Sequence, residues 1–258
     1  MPKFAANLTM MFNEVDFLDR FDAAARAGFH GVEYLFPYAY KKEELVERLQ
    51  KQGLTQVLHN LPAGDWAKGE RGNACLPDRI GEFQDGVGRA IDYATALGCK
   101  QLNCLAGIAP KGVAPDKVRE TFVDNLKFAA TKLASAGIRL FIEPINTRDI
   151  PDFFLSHTAQ ALAILDEIAS PNLSLQYDIY HMQIMEGDLA TTIQRNLPRI
   201  GHMQLADNPG RHEPGTGEIN YPFLLQFIDK IGYSGWIGCE YKPAGTTTAG
   251  LGWVKPYL

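Results

Sequence analysis

The sequence predicts a (β/α)8 barrel, an α/β TIM barrel forming one domain over residues 1–258. Three observations carry this expectation. Short apolar runs alternate with longer segments of helical spacing, and they do so eight times. Eight units in 258 residues average about 32 residues each, the size of a crossover unit in a parallel sheet. An open doubly wound sheet would carry a G-x-G-x-x-G turn after its first strand; none is present, and no linker divides the chain.

Phe4 to Leu8 reads as the first strand, and Glu14 to Ala27 as a helix whose Phe17, Leu18, Phe21, Ala24 and Ala25 recur at three- and four-residue steps before Gly28. Gly31 to Phe36 is the second strand, Lys41 to Lys51 a charged helix, and Leu54 to His59 the third strand. A long connection follows from Asn60 to about Asp78, rich in Gly and Pro; ordered loops of this length usually carry function. A helix from Glu82 to Leu97 leads to the fourth strand, Gln101 to Leu105, and Pro115 to Ala136 forms the fourth helix. Ile138 to Glu143 is the fifth strand, ended by Pro144, which has no backbone donor. A helix from Thr158 to Ala169 precedes the sixth strand, Leu173 to Tyr177, which runs into Asp178. The helix from His181 to Asn196 contains Gly187, an unfavourable residue in a helix interior. Gly201 to Ala206 is the seventh strand, Asp207 to Asn220 a second long loop, Tyr221 to Ile231 a helix, and Gly235 to Glu240 the eighth strand.

Composition narrows the function. With 46% hydrophobic and 21% charged residues the chain reads as globular, without low-complexity tracts. A net charge of −5 offers no general attraction to phosphate backbones, and no local basic face is visible, so nucleic acid is not the expected partner. No apolar run approaches the ~20 residues that span a bilayer and the start lacks a signal-peptide pattern, so the expected setting is cytoplasmic, away from membranes. The four cysteines, Cys75, Cys99, Cys104 and Cys239, form no C-x-x-C pair and read as buried, reduced thiols.

In a (β/α)8 barrel the C-terminal strand ends converge on one mouth, where active sites lie. Those ends hold Glu33, His59, Glu143, Asp178, Gln204 and Glu240. Any one of the acids is explained as a loop or helix-cap residue, as Asp178 would be for the helix after it. Glu143, Asp178 and Glu240 together are harder to explain that way, because like charges sharing one space repel unless a cation holds them. Three carboxylates with the amide oxygen of Gln204 make an all-oxygen set suited to a divalent metal, Mg2+ or Mn2+ ahead of Zn2+, with Co2+ a further fit. His181 lies three residues after Asp178, so one helical turn brings both side chains to the same mouth. His202, two residues before Gln204, is expected one layer deeper, in the core.

Seven segments, FAANLTMMF, VEYLFPY, HNLPAGDWAKGERG, EPIN, QYDIYHMQ, ADNPGRHEPGTGEINY and GCEYKP, occur in an order that resembles the xylose isomerase-like superfamily of barrels. That superfamily includes ketose 3-epimerases and endonuclease IV, and the detailed likeness is to the bacterial hydroxypyruvate isomerase family. The resemblance covers essentially the whole chain. It implies that Glu143 and Glu240 transfer protons, and that Glu143, Asp178, Gln204 and Glu240 occupy the positions of the epimerases' metal ligands. Gln204 stands where the epimerases carry histidine, and the trinuclear zinc cluster of endonuclease IV would need more histidines than these strand ends offer. The implied activity is interconversion of hydroxypyruvate and tartronate semialdehyde (2-hydroxy-3-oxopropanoate) through a cis-enediolate, an intramolecular oxidoreduction belonging to glyoxylate metabolism. A longer keto acid such as 2-oxotetronate, or a ketose epimerised at C3, would use the same enolisation; a metal-dependent endonuclease or a non-catalytic sugar-acid binding barrel are the readings from other classes. For a small keto or hydroxy acid, Arg71 and Arg211 are the candidate carboxylate partners. His59 and His181 are candidate substrate contacts, and Trp66 is a candidate lid. The resemblance also implies a homo-oligomer, and no heptad or exposed apolar stripe places an interface.

Overall fold

The computed structural model describes residues 2–258. Eight parallel strands close into a barrel: β1 (Lys3–Asn7), β2 (Gly31–Glu33), β3 (Thr55–Asn60), β4 (Gln101–Cys104), β5 (Arg139–Ile142), β6 (Leu173–Asp178), β7 (Ile200–Leu205) and β8 (Trp236–Cys239), with β8 returning to pair with β1. Among the described residues eight α-helices accompany them: α1 (Arg20–Arg26), α2 (Lys42–Gln52), α3 (Ile80–Leu97), α4 (Pro115–Ser135), α5 (Thr158–Ile168), α6 (Ile179–Met185), α7 (Leu189–Asn196) and α8 (Tyr221–Lys230).

Strand side chains alternate between two layers. On β5, Leu140 and Ile142 join the large core between barrel and helices, whereas Phe141 joins a small separate cluster with Ala5, Val57 and Leu58, against which Trp236 packs. Gly31 makes room for that packing, since a Cβ there would lie 2.5 Å from the Trp236 ring. Counting on by two from Phe141 and Trp236 reaches Glu143 and Glu240, so the alternation that fills the lower barrel with apolar rings delivers both glutamates to its mouth.

Two expected helices differ from what forms. The first is shorter: a 3-10 turn at Phe17–Asp19 precedes α1, because Arg20 spends its guanidinium on the carbonyls of Val15 (3.1 Å) and Leu8 (2.8 Å) and holds the chain turned there. The helix expected from His181 to Asn196 is two, α6 and α7, separated where Gly187 and Asp188 adopt left-handed φ of 66° and 44°. The Gly187 and Glu186 N–H groups both close onto the Met182 carbonyl at 2.9 Å, which ends α6. No helix among the described residues is long and apolar enough to cross a membrane. All four cysteines are unpaired and buried, as expected, and burial pushes the Cys75 thiol up to about 12.

Candidate active site

Each strand contributes one polar side chain to the mouth. Asn7, Glu33, Asn60, Asn103, Asp178 and Gln204 close β1, β2, β3, β4, β6 and β7 or lie within two residues of their ends, while Glu143 and Glu240 follow β5 and β8 directly. All are buried except Glu240, whose side chain is 12% exposed. Among these, sequence reasoning missed the three asparagines. It ended the first and third strands at Leu8 and His59 and ran the fourth to Leu105, one to two residues out of step with the inward positions, and a one-residue slip exchanges the faces of a strand. The available signal was a polar residue of the right parity near the end of each apolar run.

The amides organise the acids. The Asn7 Nδ2 group donates to both Glu33 Oε1 (3.1 Å) and Glu240 Oε2 (3.2 Å), and the Gln204 Nε2 group donates to the same two oxygens at 2.7 and 2.5 Å. Two NH2 groups thus clamp two carboxylates that would otherwise repel. Below them His202 Nε2 lies 2.9 Å from Glu33 Oε2, both fully buried, so His202 is the deeper-layer residue that its spacing predicts. On the other side of the barrel, Asn103 Nδ2 donates to Glu143 Oε2 (2.8 Å) and to Asn60 Oδ1 (3.2 Å).

The two glutamates are unlike. Both Glu240 oxygens accept hydrogen bonds, Oε1 from Arg211 Nη2 at 2.8 Å and Oε2 from the amide clamp, contacts that suit a carboxylate. Burial, reinforced by the charges of Asp178 and Glu33, nevertheless pushes Glu240 up to about 8 against the pull of Arg211. Glu143 has one hydrogen bond, at Oε2, and burial together with the charges of Glu240 and Asp178 holds it well above the usual carboxylate range. Burial and mutual repulsion thus hold both carboxyls toward the protonated form, and Glu143, with its uncommitted Oε1, is the member placed to carry a proton.

Asp178 satisfies both readings of its position. Its Oδ1 caps α6, accepting from the N–H groups of Tyr180 (2.7 Å) and His181 (3.3 Å). Its Oδ2 is buried without a hydrogen-bond partner, 3.6 Å from His181 Nε2, which in turn lies 3.9 Å from Glu143 Oε1. An orphaned carboxylate oxygen beside two further acids is a donor set that fits a hard divalent cation. The compact triad is Glu143, Asp178 and His181, whose ligand atoms lie within 4.8 Å of one another. The Gln204 oxygen accepts from Gln176 Nε2 at 2.6 Å, so its amide presents nitrogen to the acids and would have to turn to present oxygen to a cation.

A cavity of about 90 Å3 opens above these groups, lined by Glu143, Glu240, His181, Arg211, Asn60 and Trp66 with an apolar wall that includes Leu105 and Ile145. Arg211, in the loop after β7, stacks its guanidinium 4.9 Å over the Tyr180 ring and keeps a buried Nε without a partner. Of the expected substrate contacts, the structure brings Arg211, His181 and Trp66 to the cavity and directs two others elsewhere. Arg71 Nη1 donates to the carbonyls of Trp66 (3.1 Å) and Glu70 (2.7 Å), and the guanidinium lies 4.2 Å over the Trp66 ring, so it fastens the loop that carries Trp66. His59 is fully buried against Tyr38, with Nδ1 3.1 Å from the Asn60 carbonyl; it is the outward neighbour of the inward Asn60, and burial lowers it to about 4.

Comparison with known proteins places the chain in a family. The xylose isomerase-like TIM barrel family matches residues 21–257. The chain belongs to that family. Within it, the chain is 55% identical to the hydroxypyruvate isomerase of Escherichia coli (strain K12), over all of both chains. It is 51% identical to the 2-oxo-tetronate isomerase of Cupriavidus necator, covering 100% of this chain and 99% of that protein. Among solved xylose isomerase-like barrels, the protein named AP endonuclease, family 2, from Brucella melitensis superposes with a TM-score of 0.97 at 48% identity, over 100% of this chain and 99% of the other. A D-allulose 3-epimerase from Methylomonas sp., at 22% identity, a TM-score of 0.77 and coverage of 96% and 86%, shares the fold.

Proposed function

We propose that this chain interconverts hydroxypyruvate and tartronate semialdehyde by proton transfer between adjacent carbons. The observation that carries the reading is the pairing of unlike glutamates, Glu143 and Glu240, at one cavity that also holds Arg211 and His181. About 90 Å3 is far below the ~300–1,000 Å3 of pockets for drug-sized ligands, a space for a very small acid. The relatives above 50% identity are named isomerases of such acids.

Starting from hydroxypyruvate, the Glu240 carboxylate removes a proton from C3, and the electron pair of that C–H bond moves into a C2–C3 double bond as charge collects on O2. Glu143 then delivers a proton to C2. The O3 hydroxyl proton leaves as the C3 carbonyl forms, O2 gains a proton, and the composition is unchanged. In the reverse direction the glutamates exchange roles. His181 Nε2 and Arg211 stand where N–H donors would meet the enediolate oxygens or the substrate carboxylate, and the unpartnered Arg211 Nε supplies a donor for one of them. Trp66 walls the cavity and would exclude water from the intermediate.

Glu143, Asp178 and Glu240, with Gln204 if its amide turns, would hold a divalent cation, Mg2+ or Mn2+ by their oxygen donors. Such an ion, when bound, polarises the carbonyl and stabilises negative charge on the neighbouring oxygens. The endonuclease reading is disfavoured by the −5 charge and by a cavity too small for an extruded nucleotide.

A panel of hydroxypyruvate, 2-oxotetronate and a ketohexose, assayed with chelator and then with added Mg2+ or Mn2+, tests the assignment. The expected order of kcat/KM places hydroxypyruvate first and the ketohexose last. A ketohexose turned over faster than either acid would replace the reading with an epimerase.

A further inference from the structure

We propose that Asn146 is a positioning residue that holds His181 in the tautomer with its proton on Nε2, so that the ring offers the cavity an N–H donor rather than a lone pair. The inference deepens the isomerase reading and rests on it for the catalytic meaning of that donor; the tautomer itself follows from geometry alone.

Asn146 closes the E-P-I-N segment, three residues after Glu143, and is fully buried. Its Oδ1 accepts from the backbone N–H of Asp149 at 2.8 Å. A backbone N–H can only donate, so this contact fixes which end of the amide is oxygen. The Nδ2 end is thereby turned to His181, where it lies 2.6 Å from Nδ1, and it also donates to Asp149 Oδ2 at 3.2 Å. The Asn146 backbone N–H points at the same ring nitrogen from 3.5 Å. Two donors converge on Nδ1 and no acceptor does among the described residues, so Nδ1 must carry the lone pair.

Asp149 is itself held. The Tyr180 hydroxyl donates to its Oδ2 at 2.8 Å and receives Arg148 Nη2 at 2.9 Å, and the same Tyr180 ring supports Arg211. One network therefore sets the orientation of both donors that face the cavity, His181 and Arg211.

The consequence reaches the ligand set. A ring nitrogen that bears a proton cannot bind a cation, so His181, although close to Glu143 and Asp178, is a hydrogen-bond donor to the bound acid. A proton on Nε2 also has the nearby Asp178 Oδ2, at 3.6 Å, to favour it.

Long-range 1H–15N correlation spectra of the histidine rings in uniformly 15N-labelled protein, with and without Mg2+, read the tautomer directly; His181→Gln identifies the resonances. The wild-type protein is expected to show the Nε2–H tautomer in both conditions. Asn146→Asp keeps an acceptor for the Asp149 backbone N–H, gives up the donation to the Asp149 carboxylate and offers Nδ1 an acceptor; the expected result is a proton on Nδ1 and a kcat lowered by about 10²-fold with a smaller change in KM, the effect of losing one oriented donor. Wild-type spectra showing Nδ1–H, or a metal-ligated Nε2 on adding Mg2+, would overturn the proposal. So would a tautomer switched in Asn146→Asp with kcat unchanged. If Asn146→Asp does not fold, the wild-type spectra alone decide. They need no substrate, so the tautomer stands or falls separately from the isomerase reading.

Discussion

Glu143→Gln is expected to lower kcat on hydroxypyruvate by about 10²- to 10⁴-fold, the range for removing a positioned acid or base, and at the same time to raise the melting temperature above pH 5. The second effect follows from burial. In the folded protein Glu143 titrates well above its ordinary value of 4.5, so folding favours its protonated form. The stability this form contributes is fully present below the unfolded-state value and is lost as pH rises through the folded-state value. A neutral glutamine carries no such penalty. The difference in melting temperature between variant and wild type, measured in chelator, should therefore be small near pH 4 and widen toward pH 8. A gap constant across that range would show that Glu143 is an ordinary carboxylate, and retained turnover would remove it from proton transfer.

The second large effect is expected at Arg211. Its Nη2 neutralises Glu240 at 2.8 Å in a largely buried setting, and its buried Nε has no hydrogen-bond partner. Arg211→Lys keeps a charge but loses the fork, and should raise KM for hydroxypyruvate about 10- to 100-fold, the equivalent of one charged hydrogen bond. Arg211→Ala leaves Glu240 buried without its cation and should also unfold more readily, by about 3–5 kcal/mol. Arg71→Ala is the contrast: with its guanidinium engaged by the Trp66 ring and two loop carbonyls, it should change KM by about fivefold or less. Equal effects at both arginines would mean that the Trp66 loop rearranges to bring Arg71 to the substrate.

The barrel and the acidic residues of the site were legible in the sequence for the same reason. Apolar runs of strand length ending in a carboxylate or its amide mark both a strand and the mouth it points to, and Glu33, Glu143, Asp178, Gln204 and Glu240 all sit at such ends. The three-residue spacing of Asp178 and His181 likewise reads directly as one helical turn. What the sequence concealed was parity and direction. Asn60 and His59 are adjacent and both polar, and only the pairing of β3 with β4 decides that Asn60 faces the cavity. Arg71 and Arg211 are both loop arginines in the sequence, and their division of labour depends on where the loops fold. The identical pair of oxygens bound by Asn7 and Gln204, one on Glu33 and one on Glu240, joins β1 and β7 to β2 and β8, a relation that exists only once the barrel closes.

Proton NMR of hydroxypyruvate with the purified protein in D2O, in chelator and again with Mg2+ or Mn2+, tests the central claim most directly. The proposed chemistry predicts loss of the C3 proton signal through deuterium incorporation together with the appearance of tartronate semialdehyde; the product is abolished in both Glu143→Gln and Glu240→Gln, and the C3 exchange is abolished in Glu240→Gln. Neither product nor deuterium incorporation in any condition would contradict it.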